Sequence, residues 1–145
     1  MSVRLLAEGE EAMVRLGSRL SRALVPGAIV YLEGDLGMGK TTLSRGVVQG
    51  FGHSGAVKSP TYTLIETYST TVAEISHLDL YRLEDSEELD FIGFRDLLET
   101  DSVLLIEWPE RVESIARLAT VQVGIEHRDS ESRQLKVYSD LNLAN

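Results

Sequence analysis

Three short stretches of the chain are almost entirely apolar, and stretches with a helical pattern precede, separate and follow them. The apolar runs occupy residues 28–33, 75–81 and 102–108. Runs of this length predict strands that are buried on both faces of a parallel sheet. The intervening stretches predict helices, the first of which has apolar residues at three- to four-residue spacing. The helices are expected at residues 10–24, 41–51, 85–99 and 109–118.

Shorter segments with alternating polarity predict antiparallel edge strands. A first strand is expected to end near Leu5 and Leu6. Two antiparallel pairs are expected, 62–68 with 72–76 and 120–127 with 133–138. Parallel central strands, intervening helices and antiparallel edges together predict an α/β three-layer domain with a mixed sheet. No repeat or linker divides the sequence, so we expect one domain over residues 1–145.

The segment that follows the first buried run has the pattern G-x-x-x-x-G-K-[S/T] at residues 34–41, without a mismatch. Its glycines allow backbone N–H groups to turn towards phosphate oxygens, and the following helix directs its positive end at the same oxygens. Lys40 supplies a charge near the β- and γ-phosphates, and the Thr41 hydroxyl is a ligand for Mg²⁺. The sequence therefore predicts a P-loop NTPase-like domain that binds a nucleoside triphosphate.

Two acidic residues stand where the other buried runs end. Asp79 lies near the end of one run and Glu107 near the end of the other. Ligands of open α/β sheets bind at the carboxyl ends of the strands. These carboxylates therefore become candidates for Mg²⁺ ligation and for positioning the attacking water. The alternative for either acid is helix capping or a hydrogen bond to a loop.

Hydroxyl and aromatic side chains add further candidates. Ser59, Thr61 and Thr63 lie in the chain position where P-loop switch proteins sense the γ-phosphate, although a Ser-Pro turn that starts a strand also explains them. Trp108 stacks on a base, fills a partner's pocket or packs against the end of the sheet, and Pro109 is expected to hold it extended. His77 fits a hydrogen-bonded residue near the core better than a metal ligand.

Composition limits the partners of the protein. The chain has 23 Asp and Glu residues against 14 Lys and Arg residues, a net charge of −9, and no cysteine. Direct binding of DNA, RNA or anionic lipid requires clustered positive charge and is not expected. Disulfides, thiol catalysis and cysteine-bound metal centres are excluded. No apolar run reaches the roughly 18–20 residues of a membrane helix, and no signal-peptide block begins the chain, so we expect a cytoplasmic protein without a membrane partner.

Four segments in a fixed order resemble the TsaE family of bacterial ATPases, whose members are needed to make N6-threonylcarbamoyladenosine at position 37 of tRNA. They are G-D-L-G-M-G-K-T-T at 34–42, V-K-S-P-T-Y-T-L at 57–64, H-L-D-L-Y-R at 77–82 and I-E-W-P at 106–109. The similarity runs from about Glu10 to the end of the last strand. The S-P-T-Y and E-W-P segments make the resemblance more specific than the P-loop alone.

The resemblance implies roles for individual residues. Nucleotide contacts are implied for Glu10, Asp35, Leu36, Gly37, Met38, Gly39, Lys40, Thr41, Thr42, Trp108, Glu110 and Arg133. Mg²⁺ would be held by Thr41 and Glu107. Catalytic roles are implied for Lys40 and for Asp79, the latter as a base or as an outer partner of the metal. Ser59, Thr61 and Thr63 would form the switch, and Met38, where the family more often has alanine, is expected to face outward.

The resemblance also implies partners. ATP and Mg²⁺ would be the cofactors, and hydrolysis would reset a complex of TsaD and TsaB, the proteins that transfer the threonylcarbamoyl group. Contact with tRNA would then be indirect, and activity would be weak without the partners. Two other functions stay open. A small-molecule kinase would need a lid arginine, for which Arg111 and Arg117 are the candidates, and a GTP switch would need an Asn-Lys-x-Asp motif, whereas the only asparagines are Asn142 and Asn145.

Overall fold

The computed structural model describes residues 2–115 and 117–139. Seven strands are present in the described residues: β1 (Ser2–Glu8), β2 (Ile29–Glu33), β3 (Ile65–Ser69), β4 (Glu74–Asp79), β5 (Val103–Glu107), β6 (Val121–His127) and β7 (Ser132–Ser139). The helices are α1 (Gly9–Ser21), α2 (Lys40–Gly50), α3 (Glu87–Phe91) and α4 (Phe94–Leu98). Within these ranges no helix has the length and apolar character needed to cross a membrane. Asn142 and Asn145 lie outside the described residues.

All seven strands form one sheet in the order β1-β7-β6-β2-β5-β4-β3. Strands β6, β2, β5 and β4 are parallel neighbours, whereas β1, β7 and β3 pair antiparallel at the two edges. The central strands are buried on both faces, which explains their continuous apolar composition. The predicted α/β fold, with parallel central strands and antiparallel edges, is confirmed.

Each face of the sheet carries its own apolar core. Val30, Leu32 and Leu105 point to the face covered by α1 and α2, where Leu43 and Val47 pack against them. On the opposite face, α3, α4 and the segment after β5 cover the side chains that alternate with these. Helix α2 reaches the sheet beside α1 because Gly46 lacks a side chain: a Cβ there would lie 2.2 Å from the Val14 carbonyl oxygen. This close approach fixes the helix that follows the P-loop.

Two predicted helices are wrong in form. Residues 85–99 do not make one helix, because Gly93 adopts a left-handed conformation (φ 77°) between α3 and α4. Residues 109–118 do not make an α-helix: only two short 3₁₀ turns form, Pro109–Arg111 and Glu113–Ile115, and Ala116 is outside the described residues. Proline suits a first helical position, but it does not ensure that a helix continues.

Strand boundaries also differ from expectation. Strand β1 does not end at Leu5 and Leu6 but continues to Glu8, because it pairs with β7 along its whole length. Residues 72–76 are not a separate hairpin strand, since they run into β4. The segment that precedes β3 forms a turn, in which the Leu64 N–H donates a hydrogen bond to the Pro60 carbonyl at 2.9 Å. The antiparallel pairing of β3 with β4 is nevertheless as predicted.

Candidate functional site

The P-loop and two predicted acidic residues meet at the carboxyl ends of three parallel strands. The P-loop follows β2, while Asp79 and Glu107 end β4 and β5 and lie opposite each other in the strand register. The loop turns tightly because Gly37 and Gly39 have positive φ angles of 79° and 105°. Helix α2 then begins at Lys40 without a side-chain cap, so its first N–H groups remain for an anion.

Lys40 is only 4% exposed. Its ammonium group donates to the Gly34 carbonyl oxygen at 2.5 Å and lies 3.6 Å from the centre of the Trp108 ring. Burial lowers the pKa of Lys40, and the nearby carboxylates, led by Glu107, oppose that shift. The structure therefore holds a desolvated cation beside the loop, where a phosphate group is its natural partner.

Glu107 is 3% exposed, and two side chains bond to the same oxygen of its carboxylate. The Thr41 hydroxyl donates to Oε2 at 3.0 Å, and Nε2 of His77 lies 2.6 Å from that oxygen. The predicted metal pair, Thr41 and Glu107, is thus in direct contact. Both contribute hard oxygen donors, which Mg²⁺ prefers.

Asp79 is 6% exposed and is held from two sides. Its Oδ1 accepts the Tyr81 N–H at 3.0 Å, and its Oδ2 accepts the Thr61 hydroxyl at 3.3 Å. Burial is the main cause that raises its pKa, with a further contribution from Glu107, while the two hydrogen bonds act in the opposite direction. A carboxylate with a raised pKa accepts a proton more readily, as a general base requires.

The candidate switch residues divide into two groups. The Ser59 and Thr61 hydroxyls lie 2.7 Å apart, and since Thr61 donates to Asp79, Ser59 donates to Thr61. Thr63 instead donates to Glu66 at 3.2 Å and is exposed. The chain therefore connects Ser59 and Thr61 to the acid of β4, whereas Thr63 bonds away from it.

Trp108 does not have the extended conformation expected before proline. Its φ and ψ angles of 57° and 48° are left-handed, and together with Leu64 it is one of two non-glycine residues with positive φ in the described ranges. The turn brings the indole over Lys40 and to 4.9 Å from the Tyr81 ring. Contact with a buried cation and an aromatic ring outweighs the local pre-proline preference.

These groups surround an inner cleft of about 270 Å³. Its walls are Leu36, Gly37, Gly39, Lys40, Thr41, Thr42, Thr61, Asp79, Glu107 and Trp108. No cluster of three His, Cys, Asp or Glu residues forms a metal cage in the described ranges. The arrangement fits Mg²⁺, which typically uses one or two carboxylates and takes its other ligands from phosphate and water.

A larger outer groove of about 900 Å³ adjoins the inner cleft through Gly37, Gly39 and Thr42. Its other walls come from the start of α1 and from the β6–β7 turn, and they include Glu10 and Arg133. The Glu10 carboxylate pairs with Arg45, and the Arg133 guanidinium donates to the carbonyls of its own turn. The fold thus brings both predicted residues beside the P-loop, although their present partners are protein groups.

The remaining predicted residues have varied environments. Asp35 and Leu36 are exposed at the tip of the loop. Glu110 is exposed, but its charge acts on the pKa of both Lys40 and Glu33. The expectation that Met38 faces outward is wrong, since it is 7% exposed and belongs to the core on the α1 side.

Some residues of the site were missed from sequence. Tyr81 contacts the Trp108 ring and donates its N–H to Asp79, and its place at the end of the apolar run over residues 75–81 was the signal. The turn residues 129–132 line the outer groove. Nothing in their polar composition distinguished them from an ordinary hairpin turn.

Comparison with known proteins identifies relatives that are similar in sequence over most of the chain. Residues 7–135 match the family model described as "Threonylcarbamoyl adenosine biosynthesis protein TsaE". A protein from Haemophilus influenzae named "tRNA threonylcarbamoyladenosine biosynthesis protein TsaE" is 47% identical over 139 residues, which cover 92% of this chain and 87% of that protein. A Bacillus subtilis protein of the same name is 33% identical over 128 residues, covering 88% of this chain and 78% of its own length.

The fold is also similar to a solved structure. The crystal structure of YdiB from Bacillus subtilis superposes with a TM-score of 0.79 at 25% sequence identity. The superposition covers 94% of this chain and 84% of that one. The similarity therefore extends over most of both chains.

Proposed function

The chain belongs to the TsaE family, and we propose that it binds and hydrolyses Mg-ATP as an accessory protein in the threonylcarbamoyladenosine modification of tRNA. The family name supports the pathway. The convergence of Lys40, Thr41 and Glu107 on one cleft beside the P-loop supports the nucleotide chemistry and carries the proposal. The resemblance of the four sequence motifs to the family supports the accessory role, and a cytoplasmic location is part of the proposal.

In this proposal the triphosphate lies in the inner cleft. The P-loop N–H groups and Lys40 bind its oxygens, and Thr41 with Glu107 holds Mg²⁺. The metal ion would neutralise charge that develops between the β- and γ-phosphates. The outer groove is large enough for the nucleoside and brings Glu10 and Arg133 to its sides.

Asp79 is proposed to orient the attacking water and to accept its proton. Its raised pKa and its bond from Thr61 support this role, because Thr61 lies in the candidate switch segment. A change in that segment would then alter the position of Asp79 directly. This coupling is a physical route by which a partner could control hydrolysis.

The partners are proposed to be TsaD and TsaB, with tRNA reached only through them. The net charge of −9 supports an indirect contact, since affinity for a polyanion depends on clustered cations. Among the described residues, the lining of the inner cleft contains one cationic side chain, Lys40, and no arginine. A P-loop enzyme without an arginine in its site is expected to hydrolyse ATP slowly alone.

The test is ATP turnover by the protein alone and with a TsaD–TsaB complex, with Lys40→Ala as the inactive control. We expect weak Mg²⁺-dependent turnover alone and at least several-fold stimulation by the complex. Absence of both stimulation and co-migration with TsaD–TsaB would contradict the proposal.

The kinase and GTP alternatives predict other outcomes, which acceptor phosphorylation and competition between ATP and GTP for binding would detect. Arg111, a candidate lid residue, lies against the Tyr81 ring at 5.1 Å and does not line the inner cleft. Phosphate transfer to a small acceptor rather than to water would favour a kinase. Tighter binding of GTP than ATP would favour a guanine-nucleotide switch.

A further inference from the structure

His77 is a fully buried histidine in the parallel part of the sheet, with none of its side chain exposed. Ile75, two residues before it on the same strand, and Leu105, opposite it on β5, are fully buried apolar residues. Burial of a polar ring costs free energy unless its nitrogen atoms find partners. An apolar side chain would fill this position without that cost, so the contacts of the ring must explain its presence.

The two ring nitrogens have different surroundings. Nε2 lies 2.6 Å from Oε2 of Glu107, whereas Nδ1 is buried and has no hydrogen-bond partner among the described residues. A buried N–H without a partner is rarer than a buried acceptor without one. We therefore assign the proton to Nε2, which makes His77 a donor to the Glu107 carboxylate.

The bond from His77 arrives on the same oxygen that accepts the Thr41 hydroxyl at 3.0 Å. One of these donors lies on strand β4 and the other on helix α2, and together they restrict rotation of the carboxylate. The second oxygen of Glu107 is then left in a fixed direction, where it can act as a ligand. His77 itself is not part of the inner-cleft lining, so it has no direct access to a bound nucleotide.

We propose that His77 is a positioning residue, whose Nε2–H holds the Glu107 carboxylate in the orientation that binds the metal ion of a metal–ATP complex. The proposal rests on the proposed function, because it requires a metal at Thr41 and Glu107. Partners that hydrogen-bond to a metal ligand typically change metal affinity by about 10–100-fold when they are removed. The effect should therefore appear in metal affinity and leave metal-free nucleotide binding unchanged.

Three substitutions at His77 distinguish a hydrogen-bond donor from a residue that only packs. His77→Leu fills the position without a donor. His77→Gln has an amide N–H on a chain long enough to replace Nε2, whereas the shorter His77→Asn keeps polarity but does not reach Glu107. Ser76→Ala is the matched control, since Ser76 is also 0% exposed, points to the opposite face of β4 and has a hydroxyl without a partner among the described residues.

The experiment titrates Mn²⁺ into each variant saturated with a non-hydrolysable ATP analogue and measures free Mn²⁺ by electron paramagnetic resonance. Affinity for the analogue in EDTA and the thermal midpoint are measured alongside. We expect His77→Leu and His77→Asn to weaken Mn²⁺ binding by about 10–100-fold. His77→Gln should recover most of that loss, and all variants should bind the analogue equally in EDTA.

The outcomes distinguish this inference from the proposed function. If the parent and Ser76→Ala bind Mn²⁺ tightly and His77→Leu does so equally, the role of His77 is overturned while the proposed function stands. Equal losses in His77→Gln and His77→Asn would also overturn it. If the parent holds neither analogue nor Mn²⁺, the proposed function fails and this inference fails with it. Should His77→Leu not fold, the comparison of the Gln and Asn variants decides.

Discussion

The inner cleft and the outer groove share Gly37, Gly39 and Thr42, yet they differ in burial and in the partners of their side chains. The charged groups of the inner cleft are at most 6% exposed, and the carboxylates at the ends of β4 and β5 accept hydrogen bonds from the threonines of the same cleft. In the outer groove, the Glu10 side chain is 68% exposed and pairs with Arg45. Arg133 bonds to its own turn.

The difference follows from the elements that carry each region. Parallel strand ends and a packed helix start hold Lys40, Asp79 and Glu107, so their geometry exists before any ligand arrives. The outer groove is formed by the start of α1 and a hairpin turn, whose side chains must exchange protein partners for a ligand. We therefore expect substitutions in the inner cleft to have large effects and substitutions in the outer groove to have small ones.

The largest loss is expected from Lys40→Ala. This change removes the buried cation beside the P-loop, and without it ATP hydrolysis should fall by about 10³-fold with or without partner proteins. Steady-state phosphate release measures the effect. Gln49→Ala, an exposed residue near the other end of the same helix, is the control and should retain nearly full activity. Comparable rates in Lys40→Ala and the parent would remove the inner cleft from the account.

Glu107→Gln should lower Mg²⁺-dependent hydrolysis by about 10²-fold, because the amide removes the charge that attracts the metal. Binding of ATP in EDTA should be unchanged, since Glu107 is not proposed to contact the phosphates. The rate as a function of Mg²⁺ concentration is the measurement. An unaltered Mg²⁺ dependence would show that Glu107 is not a metal ligand.

Arg133→Ala tests the outer groove. We expect ATP affinity to fall by no more than about 10-fold, equal to roughly 1.4 kcal/mol, because the side chain is not buried and must first leave its turn. The loss should be the same with Mg²⁺ and with EDTA in an equilibrium binding assay. A loss as large as that of Lys40→Ala would contradict the contrast between the two regions.

Asp79→Asn tests how much the buried Asp79 carboxylate lowers the stability of the protein when no ligand is bound. Because burial raises the pKa of Asp79 above its ordinary value of 3.8, the folded state holds this proton more tightly than the unfolded state. The contribution of Asp79 to the stability of the nucleotide-free protein should therefore fall as pH rises from about 4 through the raised pKa. At neutral pH the variant should be more stable by about 1 kcal/mol, or roughly 3 °C in thermal midpoint.

The measurement is thermal unfolding of parent and variant between pH 4 and pH 8. The difference in midpoint should grow with pH in that range and then level off. A variant that is less stable than the parent at neutral pH would show that the carboxylate is stabilised by its hydrogen bonds more than it is penalised by burial.

The residues that could be predicted from sequence are those whose position follows from regular structure. The ends of the apolar runs identified Asp79 and Glu107, and the P-loop pattern identified Lys40 and Thr41. Trp108 was predicted to be extended because the residue before a proline usually is. The structure instead has a left-handed Trp108, whose ring contacts Lys40 and Tyr81 from distant parts of the chain. The backbone preference of a short segment gives no information about such long-range contacts.

The outward orientation of Met38 and the single helix over residues 85–99 failed for related reasons. Met38 was judged from its place in a loop, but α1 packs beside the P-loop and buries the side chain. The helix pattern contained Gly93, which takes a left-handed conformation and ends α3 so that Phe94 can reach the core. In both cases tertiary packing decided what the local pattern left undetermined.

The central claim, that one Mg-triphosphate is bound by Lys40, Thr41 and Glu107, is tested most directly by a crystal structure with Mg²⁺ and a non-hydrolysable ATP analogue. We expect the metal about 2.1 Å from Oγ1 of Thr41, with Glu107 among its ligands and the phosphates beside Lys40. A triphosphate bound outside the inner cleft, or a metal ion without contact to Thr41 and Glu107, would contradict the claim.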